Sequence, residues 1–392
     1  MPVQARHAST GSEAIAIARE AGGPPILGSR VELQLLTTLR CNLKCSYCSL
    51  GVGEVLGSQR KVSYPLNALD AFIATHLSGH EVYVTFYGGE PTLNLELMTE
   101  VMRRHPAFRF QLQTNGTLLE RLPDWVLARL CNVLVSIDGG ERVTDGYRGR
   151  GIYRRVLRNV NAVRARLGGT LTARVTWSDA DTGFHELHAL TRDFDYVYFQ
   201  FVAADGAYAP EAVAKKRAVL ARLVREFFES ETLYPFIPIM GTVRNKVLPA
   251  RAQEPYSGLT QCRASTHILN VMPDGRIFPC PDLMYLPEMQ QGDVVGNWLR
   301  RSPLQPHPDM PCAGCAAFAY CRGNCMKNLY LAYVKGDALY RRRVVEPICD
   351  LVRFLGEEVD RYDPHAWYAR MPASVRAQIA DCAVYEYVEI MP

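Results

Sequence analysis

The chain has 392 residues, 48% of them hydrophobic, which is enough for a large core and, by length, for two or three domains. Its 44 basic and 40 acidic residues nearly cancel and are interspersed, so no nucleic-acid surface is indicated. No stretch offers the roughly 18 uninterrupted apolar residues of a membrane span, and the start MPVQARHASTGSEAIAIAREAGG lacks the apolar run of a signal. A cytoplasmic protein without membrane partners is expected, and its 12 cysteines then point to metal or catalysis rather than disulfides.

Residues 1–30 give one short helix signal and read as an N-terminal extension. Six β-branched and aromatic runs follow: VELQLLTT from Val31, EVYVTFY from Glu81, FRFQLQT from Phe108, NVLVSID from Asn132, LTARVTW from Leu171 and YVYFQFV from Tyr196. Helical patterns such as LNALDAFIATHL, LELMTEVMRRH, LPDWVLARL and YRRVLRNVNAVRARL separate them. This alternation predicts an α/β fold with a parallel sheet, a partial (β/α)6 barrel over residues 31–205. Functional groups then belong at the C-terminal strand ends and in the loops after them. Residues 206–258 read as a helical linker, with one long amphipathic helix in APEAVAKKRAVLARLVREFFES and a connection through YPFIPIM. Residues 259–350 are rich in Cys, Pro and Gly and suggest a small domain held by metal. The tail, 351–392, carries one helix pattern, LVRFLGEEVDRY, and an apolar end.

Three cysteines, Cys41, Cys45 and Cys48, fall directly after the first strand at CxxxCxxC spacing. Three thiolates in one loop can each bind one iron of a 4Fe-4S cube and leave the fourth iron open to a small molecule. A partial zinc site or unrelated buried thiols are the plainer readings. CNLKCSYC, with Tyr47 before the third Cys, resembles the signature of the radical S-adenosylmethionine (SAM) superfamily. The resemblance implies that the open iron binds SAM and that Cys41, Cys45 and Cys48 carry the catalytic cluster. Reductive cleavage of SAM would then give a 5'-deoxyadenosyl radical.

Other segments agree. YGGEP after the second strand resembles the superfamily's GGEP segment and offers Gly88, Gly89 and Glu90 to the SAM amino group. QTNGT and SIDGG, after strands three and four, supply Asn115 and Ser136 to the same mouth. Arg148 in GYRGRG resembles a residue that binds the SAM carboxylate, the alternative being a solvated loop arginine.

The later cysteines form an ordered set. Cys262, Gly275 and Cys280 give C-x12-G-x4-C; Cys312, Cys315, Cys321 and Cys325 give C-x2-C-x5-C-x3-C, and Cys349 follows. The set resembles the SPASM auxiliary-cluster domain, so the expected fold is a radical SAM barrel followed by a small Cys-rich SPASM domain; a zinc ribbon explains single pairs only. By that resemblance Cys312, Cys315, Cys321 and Cys349 hold a distal 4Fe-4S cluster and Cys262, Cys280 and Cys325 a proximal one, three clusters in all. No further Cys lies near Cys262, and Glu254 and Tyr256 are poor substitutes, so an open or non-cysteine fourth position is expected. Cys131 and Cys382 read as structural. Asp282 is a weak candidate acid, because Pro281 separates it from Cys280.

The layout after about residue 31 resembles peptide-modifying radical SAM/SPASM enzymes. That implies hydrogen abstraction from a peptide and an oxidative crosslink or thioether in a ribosomally made peptide, with a separate leader-binding protein as one route of recognition. An electron donor such as flavodoxin or ferredoxin is implied. The rivals are a sulfatase-maturing enzyme that makes formylglycine, a small-molecule carbon-hydrogen functionalising enzyme and a zinc-stabilised binding module.

Overall fold

The computed structural model describes residues 24–25, 27–48, 61–178, 182–248, 264–301 and 311–380, except 322 and 324. Cys262, Glu254, Tyr256, Cys382, nearly all of the N-terminal extension and the last twelve residues therefore lie outside the described residues. All six anticipated strands are present: β1 (Arg30–Thr38), β2 (Glu81–Gly88), β3 (Arg109–Thr114), β4 (Leu130–Ser136), β5 (Thr170–Trp177) and β6 (Tyr196–Phe201). They pair in parallel and in sequence order. The intervening helices are α1 (Leu66–His76), α2 (Leu95–Arg104), α3 (Asp124–Arg129), α4 (Glu141–Arg148), α5 (Ile152–Val163) and α6 (Phe184–Ala189). This is a mixed α/β architecture with the parallel six-stranded sheet of a partial barrel, followed by a Cys-rich region.

Alternation along the strands divides the sheet into two faces. Val31, Leu33, Leu35, Val84, Phe86, Phe110 and Leu112 share one core with the helix residues Leu69, Phe72, Met98 and Val101. The opposite face is buried and polar, carrying Glu32, Gln34, Thr85, Gln111, Asn132, Thr172, Arg174 and Gln200. Buried polar groups persist only when bonded, and these link across strands: Thr85 to Glu32, Gln111 to Thr85, Asn132 to Gln111 and Arg174 to Gln200. The barrel therefore encloses hydrogen-bonding groups rather than a greasy core.

Beyond β6 the structure departs from the expected layout. The sheet runs on: β7 (Ile268–Val271) pairs in parallel with β1, and β8 (Arg276–Phe278), β9 (Gly292–Asp293) and β10 (Trp298–Leu299) extend it antiparallel to ten strands. Leu269, Val271, Ile277, Val294 and Leu299 join the main core, so this part of the Cys-rich region is held by packing as well as by its thiols. The YPFIPIM connection is in fact the start of a helix. After the long α7 (Pro210–Glu229), α8 (Ile237–Val247) begins with a proline in its first turn and is buried at every position from Ile239 to Asn245. A helix buried all round shows no amphipathic stripe, and proline at a helix start is readily taken for a breaker. The tail pattern gives α9 (Glu346–Asp360), which packs on α7.

Candidate active site

The loop after β1 is fixed by the end of β2. Gly88 pairs with Thr38 where the β1–β2 register slips. The N–H groups of Gly89 and Glu90 donate to the carbonyls of Thr38 and Arg40 at 2.8 Å each. A Cβ on Gly88, whose φ is 130°, would stand 2.2 Å from Thr38 O; one on Gly89 would stand 2.2 Å from Arg40 O. Both glycines are thus required by the close passage of the cysteine loop itself.

Glu90 organises the next layer. Its carboxylate is fully buried and accepts hydrogen bonds from Thr114 Oγ1 (2.7 Å), the Asn115 N–H (2.7 Å), and both the N–H (3.1 Å) and Oγ1 of Thr92. Burial raises its pKa while these donors pull it back down. Asn115, so positioned, donates through Nδ2 to Asn42 Oδ1 at 2.8 Å and toward Cys41 Sγ at 3.7 Å. Asn42 in turn donates to Thr117 Oγ1 at 2.8 Å. Strands β2 and β3 therefore reach Cys41 through a chain of side chains.

A second network holds the other end of the loop. Arg148, at the C-terminus of α4, is buried and gives Nε and Nη2 to Asp138 at 2.7 and 3.0 Å. Tyr47 donates its hydroxyl to the same carboxylate at 2.9 Å, and its ring lies 5.5 Å from the Arg148 guanidinium. Ser46 N–H donates to the Tyr147 carbonyl, and the Tyr47 and Tyr147 rings are 5.2 Å apart. Arg148 is therefore a paired, interior arginine on a helix, not a solvated loop residue. Ser136 closes β4 beside this network, half-buried and paired in register with Arg174.

The three thiols are half-buried and within one another's field. Burial pushes the Cys41 thiol up, with smaller contributions from Glu90 and Cys48; burial also raises Cys45, with Arg148 lowering it and Cys41 and Cys48 raising it. Thiols crowded out of water beside a fixed guanidinium favour a ligand that accepts their charge. That donor set fits an iron-sulfur cluster.

The later cysteines separate into two groups. Cys321 is pushed up to about 12 by burial, then by Cys349, Cys312 and Cys315, so these four form one neighbourhood. Arg353 hydrogen-bonds Cys315 and is drawn on by Cys349. Cys280 and Cys325 lie elsewhere, both acting on Tyr285, and Cys325 sits in the field of Asp282. Among the described residues no group of three or more His, Cys, Asp or Glu side chains is set to hold one metal ion. Cys131 stands apart, half-buried, its thiol raised by burial and lowered by Arg109.

Asp138 and Glu32 escaped the motif reading, and Asp282 was ranked too low by it. Asp138 lies inside SIDGG yet signals nothing until Tyr47 and Arg148 are brought to it. Asp282 is buried at 2% exposure, takes a 3.5 Å contact from Lys327, and its own N–H donates to Cys280 Sγ at 3.3 Å, so the intervening Pro281 does not remove it from that cysteine. Glu32 was legible in principle, as a lone carboxylate in an apolar strand.

The radical SAM superfamily profile matches residues 35–176, from within β1 to near the end of β5. Over that segment the chain is similar to the radical SAM superfamily. Among curated relatives, GTP 3',8-cyclase of Stenotrophomonas maltophilia (strain R551-3) is 35% identical over 116 residues, 28% of this chain and 34% of that protein. The chain thus spans about a third of that relative's length. Over most of its length the fold matches solved structures. One of anSMEcpe with bound AdoMet has a TM-score of 0.63 at 18% identity, covering 89% of this chain and 98% of that one. Streptococcus suis SuiB bound to its precursor peptide SuiA has a TM-score of 0.56 at 14% identity, covering 86% and 82%. At such identities the likeness is one of fold, and it covers most of this chain.

Proposed function

We propose that this chain is a radical SAM/SPASM enzyme that oxidatively modifies a peptide, forming a crosslink or thioether in a ribosomally made precursor. Cys41, Cys45 and Cys48 hold the SAM-binding 4Fe-4S cluster; with SAM bound, that group supplies a 5'-deoxyadenosyl radical. Tyr47, Gly88, Gly89, Glu90, Asn115, Ser136 and Arg148 shape the SAM site around it. Cys312, Cys315, Cys321 and Cys349 hold one auxiliary cluster, and Cys280 and Cys325, with Cys262, a second that takes up the electron left on the substrate. A flavodoxin or ferredoxin supplies reductant, and a separate leader-binding protein is one route by which the peptide is delivered.

One observation carries this reading: the thiol groups after residue 280 fold against the same sheet that presents the cysteine loop. Both fold neighbours have been solved with peptides, anSMEcpe with the Cp18Cys peptide and SuiB with SuiA. The test is iron and labile sulfide per chain after anaerobic reconstitution. Roughly twelve irons, falling to about eight when Cys41, Cys45 and Cys48 are all changed to Ala, are expected; little iron with bound zinc would refute the reading.

A second reading, formylglycine formation on a sulfatase Cys or Ser, is favoured by buried Asp282 against Cys280 and Lys327. Reduced enzyme, SAM and a sulfatase-motif peptide distinguish the two. A mass loss at the motif residue that disappears in Asp282→Asn would move the assignment to this chemistry.

A further inference from the structure

We propose that Asp138 is the positioning residue of the cysteine-loop site: its carboxylate holds Arg148 over the Tyr47 ring, and holds the loop itself through the Tyr47 hydroxyl. The inference rests on the reading that Cys41, Cys45 and Cys48 carry the cluster, and goes beyond it.

Four chain segments meet at Asp138, which is wholly buried. Its Oδ2 accepts from Arg148 Nε at 2.7 Å and from Tyr47 at 2.9 Å. Its Oδ1 accepts from Arg148 Nη2 at 3.0 Å and from the Thr176 N–H of β5 at 3.3 Å. Its own N–H donates to Thr144 Oγ1 at 3.1 Å, and that hydroxyl donates to Gly139 O, which pins the turn into α4. The bidentate fork sets the plane of the guanidinium, since Arg presents its donors in fixed geometry. Tyr47 is bonded to the same oxygen from inside the loop, so loop and arginine cannot shift independently.

Electrostatics makes the arrangement more than a brace. Tyr47, two residues from Cys45, bonds the Asp138 carboxylate at 2.9 Å, so the Arg148–Asp138 ion pair sits directly behind the cysteine loop. A group held on that loop therefore meets the difference between two opposed charges held 2.7 Å apart. Removing one charge exposes the other, and the two removals act in opposite directions.

The experiment uses the full chain, reconstituted anaerobically, as wild type, Asp138→Asn, Arg148→Gln and the double variant. A redox titration follows the EPR signal that changes on SAM addition, and SAM affinity is measured separately. Asp138→Asn is expected to move the loop cluster to a more positive potential, Arg148→Gln to a more negative one, and the double variant back toward wild type. Asp138→Asn is also expected to weaken SAM roughly 10–100-fold, as loss of an outer partner does at metal sites, while iron per chain stays near the wild-type value. Tyr47→Phe removes a single bond and is expected to keep the wild-type potential while weakening SAM less. A brace without an electrostatic role would lower iron content in step with stability and leave the potential of loaded protein unmoved. That result, or shifts of one sign in both single variants, overturns the inference. If Asp138→Asn fails to load, an unmoved potential in loaded Arg148→Gln overturns it equally. A wild-type chain that binds no cluster at the loop would instead sink the underlying reading.

Discussion

The cysteine loop and the four-thiol neighbourhood near the C-terminus are held in different ways. The loop is gripped by protein: the close backbone of Gly88 and Gly89, the Glu90–Asn115 chain reaching Cys41, and the Asp138 network behind Tyr47. The distal group sits among short turns and four-residue helices, Pro311–Gly314 and Phe318–Cys321. Burial and the other three thiols raise the Cys321 pKa, Cys321 donates to Gly323 O, and Arg353 bonds Cys315. A site gripped by its surroundings keeps its shape when empty, whereas thiols that repel each other need their ligand to fold.

The largest effect should come from testing that contrast directly. Cys321→Ser is expected to cost roughly four irons and to open the C-terminal region to protease. Cys41→Ala is expected to cost a similar amount of iron and all SAM cleavage, with proteolysis unchanged. Iron analysis with limited proteolysis checks both; equal protease sensitivity would break the comparison. Next in size is Arg148→Met, which leaves Asp138 buried without its cation and should cost about 3–5 kcal/mol by denaturant unfolding. Gly89→Ala forces a Cβ against Arg40 O and is expected to cost on the order of 3 kcal/mol. Because the clash falls on the loop entrance, its iron loss should be confined to the loop cluster, visible as loss of the SAM-sensitive EPR signal alone.

Much of this contrast was legible in the sequence and part was not, for physical reasons. The six parallel strands announced themselves because each is a β-branched and aromatic run bounded by helix periodicity, from Arg30–Thr38 to Tyr196–Phe201. β9 and β10 are two residues long, too short to carry a period, so the extension of the sheet into the Cys-rich region was invisible. Helix α8 was missed because burial on every side erases amphipathicity. The family resemblance, not periodicity, grouped Cys312, Cys315, Cys321 and Cys349, and the other three act on the Cys321 thiol. Asp138 could not be singled out, since Tyr47 bonds it across 91 residues of sequence. Motifs mark what touches a cofactor; what holds those residues in place is set by tertiary contacts.

The smallest expected effect asks whether the barrel beneath the loop is stabilised or burdened by its polar lining. Asp138 and Glu90, at the mouth, have every oxygen bonded, whereas Glu32, in the first half of β1, has Oε2 buried with no partner among the described residues. Burial raises its pKa to about 7, against the pull of hydrogen bonds from Thr85 and Gln34. Because the folded state then holds a proton that the unfolded chain releases near pH 4.5, stability is greatest below that pH. It falls as pH rises to about 7 and stays level above. Glu32→Gln keeps an acceptor for Thr85 and removes the titration, so it should stabilise the protein by about 2–3 kcal/mol at pH 8. The gain should vanish near pH 4.5, where the wild-type carboxyl is protonated in the fold. Unfolding curves for both proteins at the two pH values check this. A gain that persists at the lower pH would mean the lining is costly for its packing rather than its charge, and the mouth and the barrel beneath it would then differ in geometry alone.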